Sequence, residues 1–395
     1  MNKLKLTKED INGILIGLYI YANALIVILP SINNILTILL LAIVIIYILN
    51  NRDLKIMKSS SAIIILLIIG WFFISYMIRR NLPNTTLIDY LIKFIFYGIT
   101  SFIISYKNFS IKMVYQTISI TSVLLIPYII RNNFFDLRQI DAIDYQLLMT
   151  TAYRILPGIL ASIMCIIEKN IKISIKIVSI GILLIFCYTF INMAPRGAML
   201  AVILFVLGIY VYNKMQKKNI KNMFILFIIV VILIIIGTNI IQILYSVKDL
   251  LSDYNINFRM IDKTIYLLES DQDLTNGRST IHEKAMEDVV KSPIIGNGIA
   301  AYEDKYNSGY IHNVFIQIAY EGGIVWLALY LIWCVIAIKK FFKVDSEHKQ
   351  FIIFLIAIAM VQLLFSYYFW GSQRFWLLIA YMIQLNVKND REEEN

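Results

Sequence analysis

The sequence predicts an all-α, polytopic membrane protein of about twelve transmembrane helices, with one long extracytoplasmic loop that contains short helices. Hydrophobic residues occupy 59% of the 395 positions, against about 45–50% in soluble proteins. Charged residues make up 16%, and the mean hydropathy is +0.73. These values exclude a soluble enzyme and a disordered chain. The three cysteines all lie inside apolar runs, so neither a disulfide framework nor a metal cluster is expected.

Twelve stretches approach the roughly 20 apolar residues that are needed to cross about 30 Å of hydrocarbon. They are residues 11–29, 32–49, 61–78, 87–105, 112–130, 146–167, 173–192, 196–213, 222–243, 312–338, 351–369 and 373–387. The last of them is short and begins with Gln373-Arg374. Ala22-Asn23-Ala24 could pass for a signal-peptidase site, but the apolar run continues through Leu29, so we expect this helix to be retained.

The distribution of charge predicts the orientation. With both termini in the cytoplasm, the inner connections contain 21 lysines and arginines, and the short outer connections contain six. This arrangement follows the positive-inside rule, and it accounts for the net charge of +10 without nucleic acid. The chain is therefore divided into helices 1–9 (residues 1–244), an extracytoplasmic loop (residues 245–311), and helices 10–12 with a cytoplasmic tail (residues 312–395).

The two faces of the membrane also differ in the type of cation. Nineteen of the 21 inner cations are lysine, whereas those on the short outer connections are all arginine: Arg79, Arg80, Arg131, Arg138, Arg196 and Arg374. A guanidinium matches phosphate oxygens in pairs. We expect Arg79 and Arg80 to anchor the outer interface to lipid headgroups. For the six arginines as a set, binding of a phosphate-bearing ligand at the outer face is an equal alternative to such anchoring. Lys93 and Arg154 lie inside helices, where a cation usually faces a cavity or a partner, and Asp89 is one turn from Lys93.

The outer connection over residues 245–311 is too long to be an idle loop. Two stretches in it, Asn257–Glu269 and Ser279–Lys291, have the apolar spacing of amphipathic helices. Pro293 is expected to end the second helix, and Gly296-Asn297-Gly298 predicts a tight turn.

The candidate catalytic and binding residues lie within or beside this loop. His312 stands where the loop re-enters the membrane, and a neutral imidazole there could take a proton from a hydroxyl. Arg278 opens a helix, which is an anion-binding position. Arg196 opens the eighth span on the same face, where Gly197 would let a ligand approach the backbone. Glu321, inside the tenth span, is expected either to pair with an arginine or to have a functional role.

Other polar residues are interpreted more simply. His282 on the loop helix and His348 in a cytoplasmic loop are expected to be solvated. Asp271-Gln272-Asp273 spells an acidic pair that many sugar-nucleotide enzymes use for a divalent metal, but in an acidic surface turn the match is weak, and no metal site is predicted. The sequence contains no Gly-rich phosphate loop and no serine-nucleophile elbow, so no cofactor is expected.

The order of these residues resembles the O-antigen polymerase and ligase family of bacterial membrane glycosyltransferases. The resembling parts, within residues 195–323, are Pro195-Arg196-Gly197-Ala198, Gly277-Arg278, Ser292-Pro293-Ile294-Ile295-Gly296-Asn297-Gly298, His312-Asn313 and Glu321-Gly322-Gly323. Two positions depart from the family pattern. Pro195 stands where a serine often precedes the first arginine, and His282 stands near the place of an aromatic residue that often follows the second.

The resemblance implies a polysaccharide polymerase at the outer face of the bacterial cytoplasmic membrane. Such an enzyme transfers a glycan from undecaprenyl pyrophosphate to a hydroxyl of another lipid-linked repeat unit, with inversion and without metal or nucleotide. The implied partners are the lipid-linked donor and acceptor, membrane lipid and a chain-length regulator. The implied catalytic residues are His312 and Arg278, and the implied substrate-binding residues are Arg196, Arg154, Arg374 and Glu321.

Two alternatives remain beside the polymerase. A ligase that acts on a lipid A core shares the chemistry, but the high content of Ile, Asn and Lys suggests an AT-rich genome, which favours a Gram-positive capsule producer without lipid A. A flippase or transporter of the lipid-linked glycan is the alternative from another class. Transporters tend to show repeated halves, whereas this chain has one asymmetric outer loop.

Overall fold

The computed structural model describes residues 6–28, 35–52, 57–79, 81–132, 145–193, 196–215, 240–253, 261–262, 265–266, 278–307 and 309–385. This described part consists of helices and turns and contains no strand, which confirms the predicted all-α membrane class. Its helices are α1 (Lys8–Leu25), α2 (Ile35–Asn51), α3 (Ser59–Ile78), α4 (Thr85–Lys93), α5 (Thr100–Ile104), α6 (Ile111–Ser122), α7 (Ile126–Arg131), α8 (Tyr145–Ile167), α9 (Ile173–Met193), α10 (Arg196–Met215), α11 (Ile240–Ser252), α12 (Arg278–Lys291), α13 (Ala301–Tyr306), α14 (Val314–Lys343), α15 (Ser346–Phe365) and α16 (Gln373–Gln384). A π-helical segment, Phe94–Ile99, joins α4 to α5.

Nine helical segments of the described residues are long and apolar enough to cross a membrane. They are Lys8–Ile28, Ser59–Ile78, Thr85–Ile104, Ile111–Arg131, Leu147–Ile167, Ile173–Phe190, Arg196–Asn213, Val314–Lys343 and Ser346–Phe365. The apolar helix α2 is shorter than these. The predicted span over residues 222–243 falls mostly outside the described residues, as does the predicted helix Asn257–Glu269, whereas the second predicted loop helix is confirmed as α12.

The predicted twelfth span is shorter in the structure than in the sequence. Helix α16 has 12 residues, which gives a length of about 18 Å and is too short to cross the hydrocarbon alone. Nearly all of its residues are buried, including Arg374 and Trp376. Helix α16 is therefore a core element of the bundle rather than a lipid-facing span.

Close packing of α1 on α6 depends on two glycines spaced by one helical turn. A Cβ added at Gly13 would lie 2.4 Å from the carbonyl oxygen of Ser110, and one added at Gly17 would lie 2.8 Å from Cβ of Thr117. Small residues four apart allow such an approach between membrane helices. On the outside of the bundle, exposed Ile, Leu and Phe side chains give the apolar surface that lipid requires.

Candidate functional site

Helix α14 is interrupted at Gly323, which has φ 60° and ψ −159°. This backbone conformation is essentially restricted to glycine. The interruption frees the N–H groups of the next turn from their usual partners within the helix. The N–H of Ile324 donates instead to the carbonyl of Pro293 at 2.8 Å, and that of Val325 donates to the carbonyl of Ile294 at 3.3 Å.

The segment 293–298, here called the latch turn, also satisfies the carbonyl groups on the other side of the break. The N–H of Asn297 donates to the carbonyl of Tyr320 at 2.8 Å, and the N–H of Gly298 donates to that of Glu321 at 2.9 Å. Gly296 makes this contact feasible, because a Cβ there would lie 2.5 Å from the backbone nitrogen of Gly323. The sequence therefore pairs a Gly-rich turn with a Gly-Gly break, so that each supplies the hydrogen bonds that the other lacks.

A buried carboxylate holds α12 against the helices that follow it. Asp288 is 1% exposed, and it accepts hydrogen bonds from Lys305 at 2.6 Å, Tyr306 at 2.8 Å, and Tyr320 and Lys291 at 3.3 Å. Burial alone would raise the pKa of Asp288, but these hydrogen bonds outweigh it and place the pKa below its ordinary value. The loop helix is thus fixed by an ionised group with four donors.

The expectation that Arg79 anchors lipid headgroups is wrong. Arg79 is 3% exposed; it forms an ion pair with Asp304 and donates to the carbonyl of Pro83 at 2.8 Å. Asp304 also accepts a hydrogen bond from the hydroxyl of Thr86. The arginine therefore ties the end of α3 to α13, while Arg80 lies outside the described residues.

The structure places Arg278 near His312. Arg278 is the first residue of α12, and it acts electrostatically on both His312 and Tyr310. The rings of Tyr310 and His312 have centroids 4.3 Å apart. His282, one turn after Arg278, has its Nε2 2.9 Å from the carbonyl oxygen of Ile311. His282 is therefore part of the contact between α12 and the re-entry point, contrary to the expectation that it is solvated.

His312 is held in an unusual state. Its φ of 60° is left-handed, which is uncommon for a residue other than glycine. Its Nδ1 is buried and has no hydrogen-bond partner among the described residues. Burial, aided by the positive charge of Arg278 and by the neighbouring His282, lowers the pKa of His312 to about 4. The imidazole is therefore neutral at pH 7, and its Nδ1 is a buried nitrogen without a hydrogen bond to the described residues.

Two further candidate arginines lie next to each other inside the bundle. Arg374 is 6% exposed and donates only to backbone carbonyls, those of Tyr153 at 3.0 Å and Ile20 at 3.4 Å. Its Nη2 and the Nε of Arg154 are buried and have no hydrogen-bond partner among the described residues. The two guanidinium groups repel each other, and both act electrostatically on Tyr367. A pair of cations with no carboxylate partner in the described residues is a place where an anion is favoured.

Aromatic rings connect this arginine pair to His312. The ring of Tyr310 lies 6.0 Å from that of Tyr367 and 5.0 Å from that of Tyr368, measured between centroids. The hydroxyl of Tyr310 donates to the carbonyl of Ser366 at 2.8 Å. Lys93 lies 5.2 Å from the ring centroid of Tyr368. The cations of α4, α8, α12 and α16 thus surround one group of tyrosines.

Arg196 opens α10 and is exposed, and within the described residues it forms no ion pair. The expectation that Gly197 leaves its backbone open to a ligand is not met. A Cβ at Gly197 would lie 2.3 Å from the hydroxyl of Tyr153, which therefore occupies that space. Gly197 instead allows α10 to pack closely on α8.

Glu321 does not pair with an arginine in the described part of the chain. It is 3% exposed and accepts hydrogen bonds from the side chains of Gln317 at 2.9 Å and Trp370 at 2.8 Å, and from the N–H of Ala300 at 3.5 Å. Its carboxylate also interacts with that of Glu303, which accepts from Tyr90 at 2.9 Å. Burial raises the pKa of Glu303 to about 7. Glu321 thus joins α14 to α13 and to Trp370.

The acidic pair Asp271 and Asp273 lies outside the described residues. Among the residues that the structure does describe, no group of three or more His, Cys, Asp and Glu side chains is placed to hold a metal ion.

Sequence reasoning missed the residues that hold the site in place, above all Asp288, Asp304, Trp370 and Tyr367. Asp288 and Asp304 look like ordinary surface acids in the sequence, because Asp288 follows Glu287 and Asp304 stands between Glu303 and Lys305. The one available signal was the spacing of Asp288 from Lys291, which places both on one side of α12.

Comparison with known proteins agrees with the residue pattern. Residues 180–331 match the family model described as O-antigen ligase. This segment contains Arg196, Arg278, His312 and Glu321. The match supports assignment to the O-antigen polymerase and ligase family and confirms the resemblance; members of this family are membrane glycosyltransferase-like enzymes. No curated protein and no solved structure matches the chain.

Proposed function

We propose, from the assignment of residues 180–331 to the O-antigen ligase family, that this protein is a polysaccharide polymerase. It would transfer a glycan from undecaprenyl pyrophosphate to a hydroxyl of another lipid-linked repeat unit, at the outer face of the cytoplasmic membrane. The observation that carries the proposal is the placement of a fixed cation, Arg278, near a neutral imidazole, His312, whose Nδ1 has no hydrogen-bond partner among the described residues.

In the proposed reaction the acceptor oxygen attacks the anomeric carbon as the bond from that carbon to the pyrophosphate oxygen breaks. The proton of the acceptor hydroxyl goes to His312, and undecaprenyl pyrophosphate leaves with the bonding electrons. Direct displacement inverts the anomeric configuration. With a pKa of about 4, His312 is a weak base before substrate binds. A pyrophosphate beside Arg278 would offset the positive charge and raise the proton affinity of the imidazole, so donor binding prepares the base.

The arginines would stabilise the charge that grows on the leaving group. One such preorganised donor is worth about 10²–10³ in rate. Arg278 suits this role because it is adjacent to His312, and Arg196 lies in the same family-matched segment. Arg154 and Arg374 contribute buried guanidinium nitrogens without partners in the described residues. Because these groups are already charged, the proposed reaction needs no metal ion and no nucleotide.

The test uses the full chain in proteoliposomes with a lipid-linked single repeat unit as both donor and acceptor. A ladder of polymers, formed in excess chelator and lost in Arg278→Ala and His312→Ala, is the expected result. Transfer only to a lipid A core would identify a ligase, and movement of the glycan across the bilayer without any new glycosidic bond would identify a flippase. Loss of the ladder in chelator, with recovery in Mg²⁺ or Mn²⁺, would overturn the metal-independent mechanism.

A further inference from the structure

The interruption at Gly323 divides α14 into two parts with different surroundings. Helix α14 has 30 residues and is about 45 Å long, which exceeds the roughly 30 Å of bilayer hydrocarbon. Before the interruption, most side chains from Val314 to Glu321 are buried or half-buried. After it, a continuous stripe of apolar side chains is exposed: Ile324, Val325, Leu329, Leu331, Ile332, Val335, Ile336 and Ile338.

The second part of α14 has the length of the hydrocarbon layer. The roughly 20 residues from Ile324 to Lys343 span about 30 Å. Lysines lie at the end of this segment that the charge distribution predicts to be cytoplasmic. At the opposite end, Trp326 packs on Trp71 with ring centroids 5.5 Å apart. Tryptophan is enriched at the membrane interface. The outer boundary of the hydrocarbon therefore lies near Gly323.

The latch turn is hydrogen-bonded to the first two residues below this boundary, because Pro293 and Ile294 accept from Ile324 and Val325. Its two isoleucines are exposed: Ile294 is 64% exposed and Ile295 49%.

The exposed apolar surface continues onto the last turn of α12. Val290 is 74% exposed, and the neighbouring side chain of Lys291 is 70% exposed. An apolar surface beside an exposed lysine is typical of a segment at the level of lipid headgroups.

We propose that Val290, Ile294 and Ile295 form a membrane-docking patch that contacts the outer leaflet of the bilayer. Lipid, rather than another protein, is the occupant because the patch adjoins the lipid-facing stripe of α14 through two backbone hydrogen bonds. This inference is independent of the proposed function.

The patch also fixes the height of the site. Helix α12 runs alongside the outer part of α14, since His282 contacts Ile311 and Asp288 contacts Tyr320. With the end of α12 at the boundary, its start at Arg278 lies farther out.

The experiment measures the collision of a nitroxide label with oxygen and with a water-soluble nickel chelate, in phosphatidylethanolamine–phosphatidylglycerol proteoliposomes. The three native cysteines are replaced by alanine, and Val290→Cys and Ile294→Cys are labelled in separate proteins. The matched control is Glu283→Cys, because Glu283 is exposed on the same face of α12 but two turns farther from the boundary.

At Val290→Cys and Ile294→Cys, collision with oxygen should exceed collision with nickel several-fold, and at Glu283→Cys the order should reverse. Equal nickel accessibility at all three positions would overturn the proposal. Dipolar broadening between labels at Val290→Cys would assign the patch to contact with a second copy and would likewise overturn it. If Ile294→Cys fails to insert, Val290→Cys gives the decision alone, because its side chain is the most exposed of the three.

Discussion

Replacing Gly323 with alanine should open the contact between α14 and the latch turn. The new Cβ would lie 2.3 Å from the carbonyl oxygen of Ile294 and 2.7 Å from the backbone nitrogen of Gly296. If the native backbone is kept, the conformational strain costs about 1–3 kcal/mol and the overlap a further 1–3 kcal/mol or so.

The alternative response is to release the latch turn. That would forfeit four backbone hydrogen bonds, each worth about 1 kcal/mol net. The response with the lower free-energy cost will dominate. We therefore expect the latched state to lose about 2–4 kcal/mol of stability relative to the open state, which corresponds to a roughly 30- to 700-fold increase in the population of the open state.

Native-state hydrogen exchange measures this opening directly. In Gly323→Ala, the amides of Asn297 and Gly298 should lose about 30- to 700-fold of their protection. Polymer formation should also fall, because the latch turn directly follows α12, the helix that begins with Arg278. The matched control is Gly70→Ala, since an added Cβ at Gly70 meets no atom within 4 Å. Unchanged protection at Asn297 and Gly298 in Gly323→Ala would refute the reasoning.

Three further predictions concern the proposed chemistry. Arg278→Lys and Arg196→Lys should make polymer ladders nearly as poorly as the alanine variants, because a lysine cannot meet two phosphate oxygens at once. Arg131→Lys is the exposed outer control. If the Arg278 and Arg196 lysine variants form ladders near the wild-type rate, these two arginines have a steering role only. For His312, the neutral form is required, so kcat/KM should hold from pH 8 to about pH 5 and fall as the pH drops through about 4; an acid limb near pH 6.5 would contradict the depressed pKa. His282→Gln keeps an N–H donor for the Ile311 carbonyl and should retain most of the rate. His282→Ala should lose most of the rate and shift the acid limb of the pH–rate profile. Identical pH–rate profiles for the two variants would show that His282 does not position His312.

The membrane class and most spans could be predicted from the sequence, because the length and hydrophobicity of each segment by itself decide whether it can span the bilayer. The loop helix could be predicted for the same reason, from its own periodicity and from Pro293. The length of α16 could not be predicted, since an apolar run of 12–15 residues serves equally as a short span or as a buried core helix. The role of Arg79 was also out of reach, because its partner Asp304 is 225 positions away in the chain.

For the candidate site, the sequence by itself determined which groups are available, and its charge distribution predicts on which face of the membrane they lie. Residue type alone fixes that arginine carries a charged guanidinium, that histidine carries two ring nitrogens and that glycine has a freer backbone. The distribution of lysine and arginine between the two faces follows from the way the chain inserts into the membrane. The tertiary structure alone decided which of them meet. His282 and Glu321 acquired their roles from hydrogen-bond partners brought by other helices. The depressed pKa of His312 arises from burial and from the neighbouring Arg278 and His282, and burial is a property of the packed bundle, which no local pattern of residues encodes.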